Sequence, residues 1–303
     1  MFFYIHIFNY SSALAIIYII QHILYFMPSI IKASGQREQF KQSKLRKSLH
    51  RSGATSVQAE EIVTVISQGL REGENTSDIY NRAFHLLRKN RNEIPAARYS
   101  LKQAIRELGP TGFPFEKFVG KIFEASGYDV KVGQIMKGTC VSHEMDVVAV
   151  KGKEIVLVEA KFRNRSGDDI GVRVPLYMRS RFEDILNNVP KEKRRGYRCM
   201  IVTNTRFSVD ACKYADCVGN IKLIGWRFPK DNGLEHMIES LGLHPITVLN
   251  ILSREEKLKF FEKGLVVCQD IDKAPHKLDS LGLSKNKINT VIEQAKELCR
   301  LKV

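Results

Sequence analysis

HEMDVVAVKGKEIVLVEAKF, His143 to Phe162, reads as a hydrophobic β-hairpin with two carboxylates and a lysine set among its valines and leucines. Gly152-Lys153 is a two-residue turn, with glycine at the first central position that a type II′ turn requires. Pairing outward sets Lys151 against Glu154 and Val150 against Ile155, so that partners sum to 305. Asp146 and Glu159 meet the same sum, which puts them opposite each other on one face, roughly 5 Å apart at Cβ. Lys161 shares that face because strand side chains alternate with a period of two, and Ala160 points away. Carboxylates placed so closely repel unless something cationic lies between them. Two converging oxygen ligands suit Mg²⁺ (or Mn²⁺), which accepts one or two carboxylates and keeps several waters. The plainer alternative is the solvated face of a sheet-edge hairpin, where charges are expected. Glu-x-Lys triplets are also cheap: Glu255-Glu256-Lys257 is another in the same chain.

The bulk of the 303-residue chain points the same way. It carries 48 Lys+Arg against 33 Asp+Glu, a net charge of +15, which favours polyanionic partners and above all DNA. Its six cysteines show no paired CxxC spacing and no ligand-spaced histidines, so neither a zinc ribbon nor a disulfide framework is indicated. Cys212 and Cys217, in the helical run DACKYADCV, read as buried thiols. This cysteine usage fits a cytoplasmic protein. The first 31 residues contain no Asp, Glu, Lys or Arg. They read either as a membrane anchor or as an extension ahead of a true start at Met27, whose MPSIIKASG opens a domain at once.

The chain divides into a hydrophobic segment (1–28), a mostly helical segment with a short β-hairpin around Gly35 (29–110), a mixed α/β segment (111–240) and a small helical region (241–303). Helical periodicity runs through SKLRKSLHRSG, QAEEIVTVISQGL, TSDIYNRAFHLLRKN and AARYSLKQAIRELG, with Gly53, Gly69 and Gly109 where C-caps would fall. The breaker cluster GPTGFP, Gly109 to Pro114, is the expected boundary. Beyond it, a helix at 115–126 leads into strands YDVKVG, MDVVAV, IVLVEAKF, RCMIVTN and IKLIGW, interleaved with helices at 177–188 and 208–217. That alternation predicts a mixed sheet flanked by helices.

FEKFVGKIFEASGYDVKV, HEMDVVAV, VLVEAKF and IVTNTRF…CKYAD…IKLIGW together resemble an Mrr-type restriction endonuclease domain of the PD-(D/E)XK superfamily, over about Pro110 to Arg227. The resemblance implies a metal-dependent endodeoxyribonuclease whose site is Glu116, Asp146, Glu159 and Lys161, with Asp146 and Glu159 on the metal. The family's glycine-rich approach to the aspartate is replaced here by CVSHEMD; His143 and Glu144 within it read as hydrogen-bonded structural residues or as contacts to substrate or metal. Double-strand cleavage needs two sites, so the same resemblance implies a homo-oligomer.

Between Lys32 and Gly53 seven basic residues stand against Glu38 alone, a balance of +6 that could gather phosphates. IIKASGQREQFKQSKLRKSLHRSGA…TSDIYNRAFHLL…AARYSLKQAIRELGP is similar to the ATP-cone, a regulatory nucleotide-binding module. By that resemblance Lys32 and Lys44 meet the phosphates of ATP or dATP, although Ala33 replaces the family's basic residue. The nucleotide would then act on the nuclease through the short, proline-containing connection to the helix bearing Glu116. The tail, through LGLSKNKI, is similar to helix-hairpin-helix DNA-binding units, and it reads equally as a plain helical packing domain. The alternative to the enzyme is a non-catalytic, nucleotide-responsive DNA-binding protein, and a membrane-tethered form of either follows if residues 1–28 are an anchor.

Overall fold

A computed structural model describes residues 28–89, 93–108, 113–165 and 167–299, and the hydrophobic segment at 1–27 lies outside them. The chain forms two compact units, one through Asn92 and the other from Glu93.

In the first unit the hairpin around Gly35 is β1 (Ser29–Ile31) against β2 (Arg37–Gln39), and β1 also pairs in parallel with β3 (Glu74–Asn75), a short strand the periodicity did not reveal. Three helices follow the predicted runs: α1 (Gln42–Ser52), α2 (Ser56–Gln68) and α3 (Thr76–Lys89). Gly53 caps α1 at φ 95°, a left-handed conformation that glycine adopts without a steric cost. Thr55 and Gln58 form a capping box on α2, each side chain accepting the other's backbone N–H. Leu49, Ile62, Ile66 and Leu87 are the buried stripes of these amphipathic helices.

The second unit begins earlier than the breaker cluster suggests. α4 (Glu93–Tyr99) and α5 (Leu101–Arg106) precede that cluster, yet Ala97, Leu101, Ala104, Ile105 and Leu108 share one apolar core with Phe118, Ile122 and the sheet. The boundary therefore lies at Asn92/Glu93, not at Gly109–Pro114, because the second helix pair buries its apolar face against the α/β core. Residues 109–112 lie outside the described residues, and the segments on both sides of them belong to this one unit.

The sheet has five strands in the order β10–β8–β6–β5–β4: β4 (Asp129–Lys137), β5 (Ser142–Lys151), β6 (Glu154–Lys161), β8 (Tyr197–Thr203) and β10 (Ile221–Ile224). The first three run antiparallel as two hairpins, while β6, β8 and β10 run parallel. A two-stranded parallel pair, β7 (Asp169–Ile170) with β9 (Arg206–Phe207), stands apart. Helix α6 (Phe113–Ala125) covers one face, and it lies so close to β4 that a Cβ on Gly120 would come within 3.2 Å of Val132. The other face is covered by α7 (Arg173–Asn187) and α8 (Val209–Val218) through Met178, Phe182, Ile185, Ala211 and Ala215. Because α8 buries its alanines, Cys217 is exposed and Cys212 only half-buried, not buried as the run suggested; all six cysteines are free.

The C-terminal helices, among them α9 (Leu234–Leu241), α10 (Arg254–Glu262), α11 (Cys268–Lys273) and α12 (Lys285–Cys299), are not a separate body. Val248, Phe260, Leu278, Val291 and Leu298 extend the core that contains α4–α6. Thr247 donates a buried hydrogen bond to the Ala104 carbonyl at 2.7 Å, and Lys257 pairs with Glu107 at 3.0 Å. No helix among the described residues is long and apolar enough to cross a membrane.

The position of the boundary can be checked by truncation. A fragment beginning at Glu93 should keep a single cooperative thermal transition, whereas one beginning at Gly109 loses Leu101, Ala104, Ile105 and Leu108 from the core and should lose that transition. Equal melting of the two fragments would place the boundary back at the breaker cluster.

Candidate active site

The β5–β6 register runs as the sequence arithmetic requires, from Lys151↔Glu154 to Val147↔Val158, with Gly152 at φ 59° in the turn. The pair is not at a sheet edge: β4 and β8 flank it on either side. Carboxylates here are therefore not a solvated fringe, and Glu159 is only 3% exposed. Just beyond Val147↔Val158 the ladder changes character. Asp146 accepts the Ala160 N–H on its Oδ2 at 2.7 Å, so its side chain takes over a main-chain partner. Across β5's other side, the β4 ladder is regular at Val132↔Val147 and Gln134↔Met145 and skips Gly133, whose φ is 64°. The distortion is confined to the strand positions around Asp146.

Glu159 sits between two cations. Lys161 is ion-paired to its Oε1, and the Arg181 guanidinium donates to its Oε2 at 2.6 Å. Arg181 comes from α7, is 8% exposed, and also donates to the Glu144 carbonyl. The Tyr177 ring, one turn earlier, lies 5.3 Å from this guanidinium. The same helix holds the segment that leads to Asp146. Asp184 accepts the Cys140 and Val141 backbone N–H groups at 2.8 and 3.3 Å, and lies 2.8 Å from His143 Nε2. His143 is thus a hydrogen-bonded structural residue. Gly138 is needed at this point because a Cβ there would come within 2.0 Å of the Asp184 carboxylate and 2.6 Å of the Val141 carbonyl.

Sequence reasoning missed Arg181 and Asp184. For Arg181 a signal existed: Met178, Phe182 and Ile185 form a buried helical stripe, and Arg181 falls inside it. An arginine at a core position of an amphipathic helix needs a buried acid.

Glu116 reaches the site from the first turn of α6. The helix is anchored by Phe115, 1% exposed, whose ring centroid lies 5.4 Å from that of Phe162, directly after Lys161. Burial pushes the Glu116 carboxyl up to about 7, with Asp146, Glu144 and Glu159 adding repulsion. Burial likewise raises Asp146 to about 6, helped by Glu159 and opposed by the Ala160 N–H, Lys161 and Arg181. The charges of Asp146, Glu144, Glu159 and Lys161 all act on Glu116, and Lys161 is paired directly with Glu159. No trio of His, Cys, Asp or Glu side chains among the described residues is close enough to form a complete ligand set. The arrangement fits an ion that takes two carboxylates and keeps its waters, as Mg²⁺ does. Both Glu159 oxygens already accept from cations, Lys161 on Oε1 and Arg181 on Oε2.

In the first unit Lys32 and Lys44 also converge. Both ammonium groups reach Glu38, at 2.8 and 3.0 Å, and hold its carboxyl below the usual range, Lys32 first.

A curated relative from Archaeoglobus fulgidus, an uncharacterized protein, is 39% identical over 181 residues, covering 59% of this chain and 99% of that protein. The crystal structure of AF1548, a protein of unknown function, matches 62% of this chain and 97% of its own, at 37% identity and a TM-score of 0.51. Residues 244–299 match the model of the AF1548-like C-terminal family. The chain belongs to the AF1548-like family. Within it, residues 109–226 match the Mrr catalytic family, described as restriction endonuclease, so the site lies in a domain of restriction-endonuclease type. The MspJI restriction endonuclease in complex with a 27-mer oligonucleotide is a remote structural neighbour, at 14% identity and a TM-score of 0.29 over 55% of this chain and 37% of its own.

Arg181→Ala should destabilise the protein by about 3–5 kcal/mol, because it leaves Glu159 buried with one cation fewer. In the double variant with Glu159→Ala much of that loss should return. Thermal or urea unfolding of the two variants measures the coupling, and additive losses would show that the pair does not act as a unit.

Proposed function

We propose that the chain is a Mg²⁺- or Mn²⁺-dependent endonuclease that hydrolyses phosphodiester bonds of DNA. The observation that carries this reading is Glu159: a carboxylate 3% exposed, in the middle of a sheet, close enough to raise Asp146 and ion-paired with Lys161, within a domain of restriction-endonuclease type. Burying an acid so fully is costly unless a function keeps it. In this reading Asp146 and Glu159 hold the metal, which when bound lowers the pKa of a coordinated water and offsets charge developing on the phosphate.

The chain's own residues do the rest. The Lys161 ammonium, held by Glu159 Oε1, can orient the attacking water. Glu116, raised to about 7, can hold or release a proton near neutrality. Arg181 fixes the Glu159 carboxylate in place from the opposite side, and Asp184 fixes the strand entry that carries Asp146. Net charge of +15 draws the polyanionic substrate, and two copies acting together would cut both strands.

One observation favours the non-catalytic alternative, a nucleotide-responsive DNA-binding protein. Arg181 and Lys161 between them already neutralise Glu159, as a vestigial site would. Nicking of supercoiled plasmid separates the two. Wild type with Mg²⁺ or Mn²⁺ should convert plasmid to open-circle or linear form, and Glu159→Ala and Asp146→Ala should each lower the rate by at least about 100-fold, the scale on which a metal-assisted phosphoryl transfer loses its charge stabilisation. Equal cutting by wild type and Glu159→Ala rejects the enzyme.

The first unit is proposed to take ATP or dATP. Lys32 and Lys44 meet at Glu38, so two ammonium groups already share one anionic partner that a phosphate group can replace. Calorimetric titration of ATP and dATP into wild type should give saturable binding that Lys44→Ala weakens roughly tenfold, the value of one charged hydrogen bond. Absence of heat in both removes the nucleotide site; binding without any change in cleavage or in mass removes regulation only.

A further inference from the structure

The parallel strands deliver a second group of side chains to the rim that carries Lys161. Lys161 is in register with Thr203, and Val202 with Ile224, so the segments that follow β6, β8 and β10 leave the sheet at the same end. After β6, Arg163 exchanges two hydrogen bonds with Asn204, at 2.8 and 2.9 Å, which locks the first two of these segments together. After β8 comes Arg206, 64% exposed at its side chain, donating to the Gly167 carbonyl at 3.3 Å. After β10, the Trp226 N–H donates to the Thr205 carbonyl at 2.6 Å and Arg227 follows, paired with Glu235. On α5, Lys102 places its ammonium 5.8 Å from the centroid of the buried Trp226 ring.

Cations gather here. Among the described residues Lys102, Arg206 and Arg227 oppose Glu235 and a loosely placed Asp169, with Arg106, which has a partner of its own, close to Lys102. Much of Lys102 is reached by solvent, yet packing around its ammonium, and then Arg106 and Arg227, lower it to about 8. Crowding cations against one another is unfavourable unless an anion joins them.

We propose that Lys102, Arg106, Arg206 and Arg227 form a phosphate-binding rim that holds the DNA backbone beside the bond being cut. This rests on the nuclease reading for the position of that bond. The distance fits a nucleic acid strand: β6 to β10 is two strand spacings, about 10 Å, or about three nucleotide rises along one strand of a duplex. A phosphate at Lys161 thus leaves its neighbours on the same strand within reach of the rim. The side chains offer no edge-reading geometry of their own, so the contact is to backbone and independent of sequence.

Arg206 and Lys102 are the residues to change, because Arg227 already serves Glu235. The full chain is titrated with a fluorescent 20–30 base-pair duplex, taken at about one to two times the length an interface of this size covers, without divalent metal and over a range of salt. The charge-matched control is Lys191→Gln with Lys193→Gln, on the short 3₁₀ turn that precedes β8 and so lies at the sheet's other end. Lys102→Gln with Arg206→Gln should bind roughly tenfold more weakly and lower the slope of log affinity against log salt by about 2, at 0.9 per phosphate released. The control should match wild type. If the double variant fails to fold, Arg206→Gln alone should lower the slope by about 1. Binding by the rim variants equal to wild type, an equal loss in rim and control variants, or no binding by wild type each overturns the rim. Cleavage is scored separately. A wild type that binds through the rim but never cuts plasmid with Mg²⁺ or Mn²⁺ rejects the nuclease and keeps the rim, while one that cuts with rim variants unaffected in binding rejects the rim alone.

Discussion

The interaction on which the candidate site depends is the burial of Glu159 between Lys161 and Arg181. A lone carboxylate in the middle of a sheet would be protonated or expelled. Two cations from different elements compensate its burial, one from its own strand and one from α7. Arg181 ties the helix to the strand, and three residues along the same helix Asp184 ties it to the segment entering β5. The hairpin is thereby held from outside the sheet by one helix. Much of that stabilisation is conditional, since a buried ion pair contributes little net and costs heavily when halved. Residues that touch no reacting atom therefore matter to this site as much as those that do.

The hairpin was legible because its signals are local. A glycine turn fixes the register, so the pairs from Lys151↔Glu154 to Val147↔Val158 could be placed by arithmetic, while Asp146 and Glu159 lie one step beyond, where the Asp146 side chain takes the Ala160 N–H instead. The helices of the first unit were legible for the same reason. What escaped was non-local. Nothing in the order of residues says that α4 and α5 pack with the helices after Gly242, so a Gly/Pro cluster within one unit looked like the end of a domain. Arg181 escaped because its partner lies in a strand 22 residues earlier. β3 escaped because two residues carry no periodicity. The buried fraction of the hairpin was also misjudged by the edge-strand alternative, since strand order is a property of the sheet and not of any one strand.

Charge runs through both units as a common theme with opposite local solutions. In the first unit a single acid, Glu38, is shared by two lysines, and cations are in excess. In the second, acids are in excess at the hairpin and cations at the strand ends nearby.

The shared core of the second unit has a bearing on how the chain is made. Thr247 reaches back 143 residues to Ala104, and Lys257 reaches back 150 to Glu107. Contacts of such span are slow to form, because loop closure must precede any gain from packing. During synthesis, α4, α5 and α6 emerge long before the helices that complete their apolar surroundings. The sheet can be covered by α6, α7 and α8 as these emerge, but the apolar surroundings of α4–α6 stay incomplete until the last helix has left the ribosome. The nascent chain thus carries an exposed apolar face for most of its translation, a stage at which aggregation and chaperone capture compete with folding.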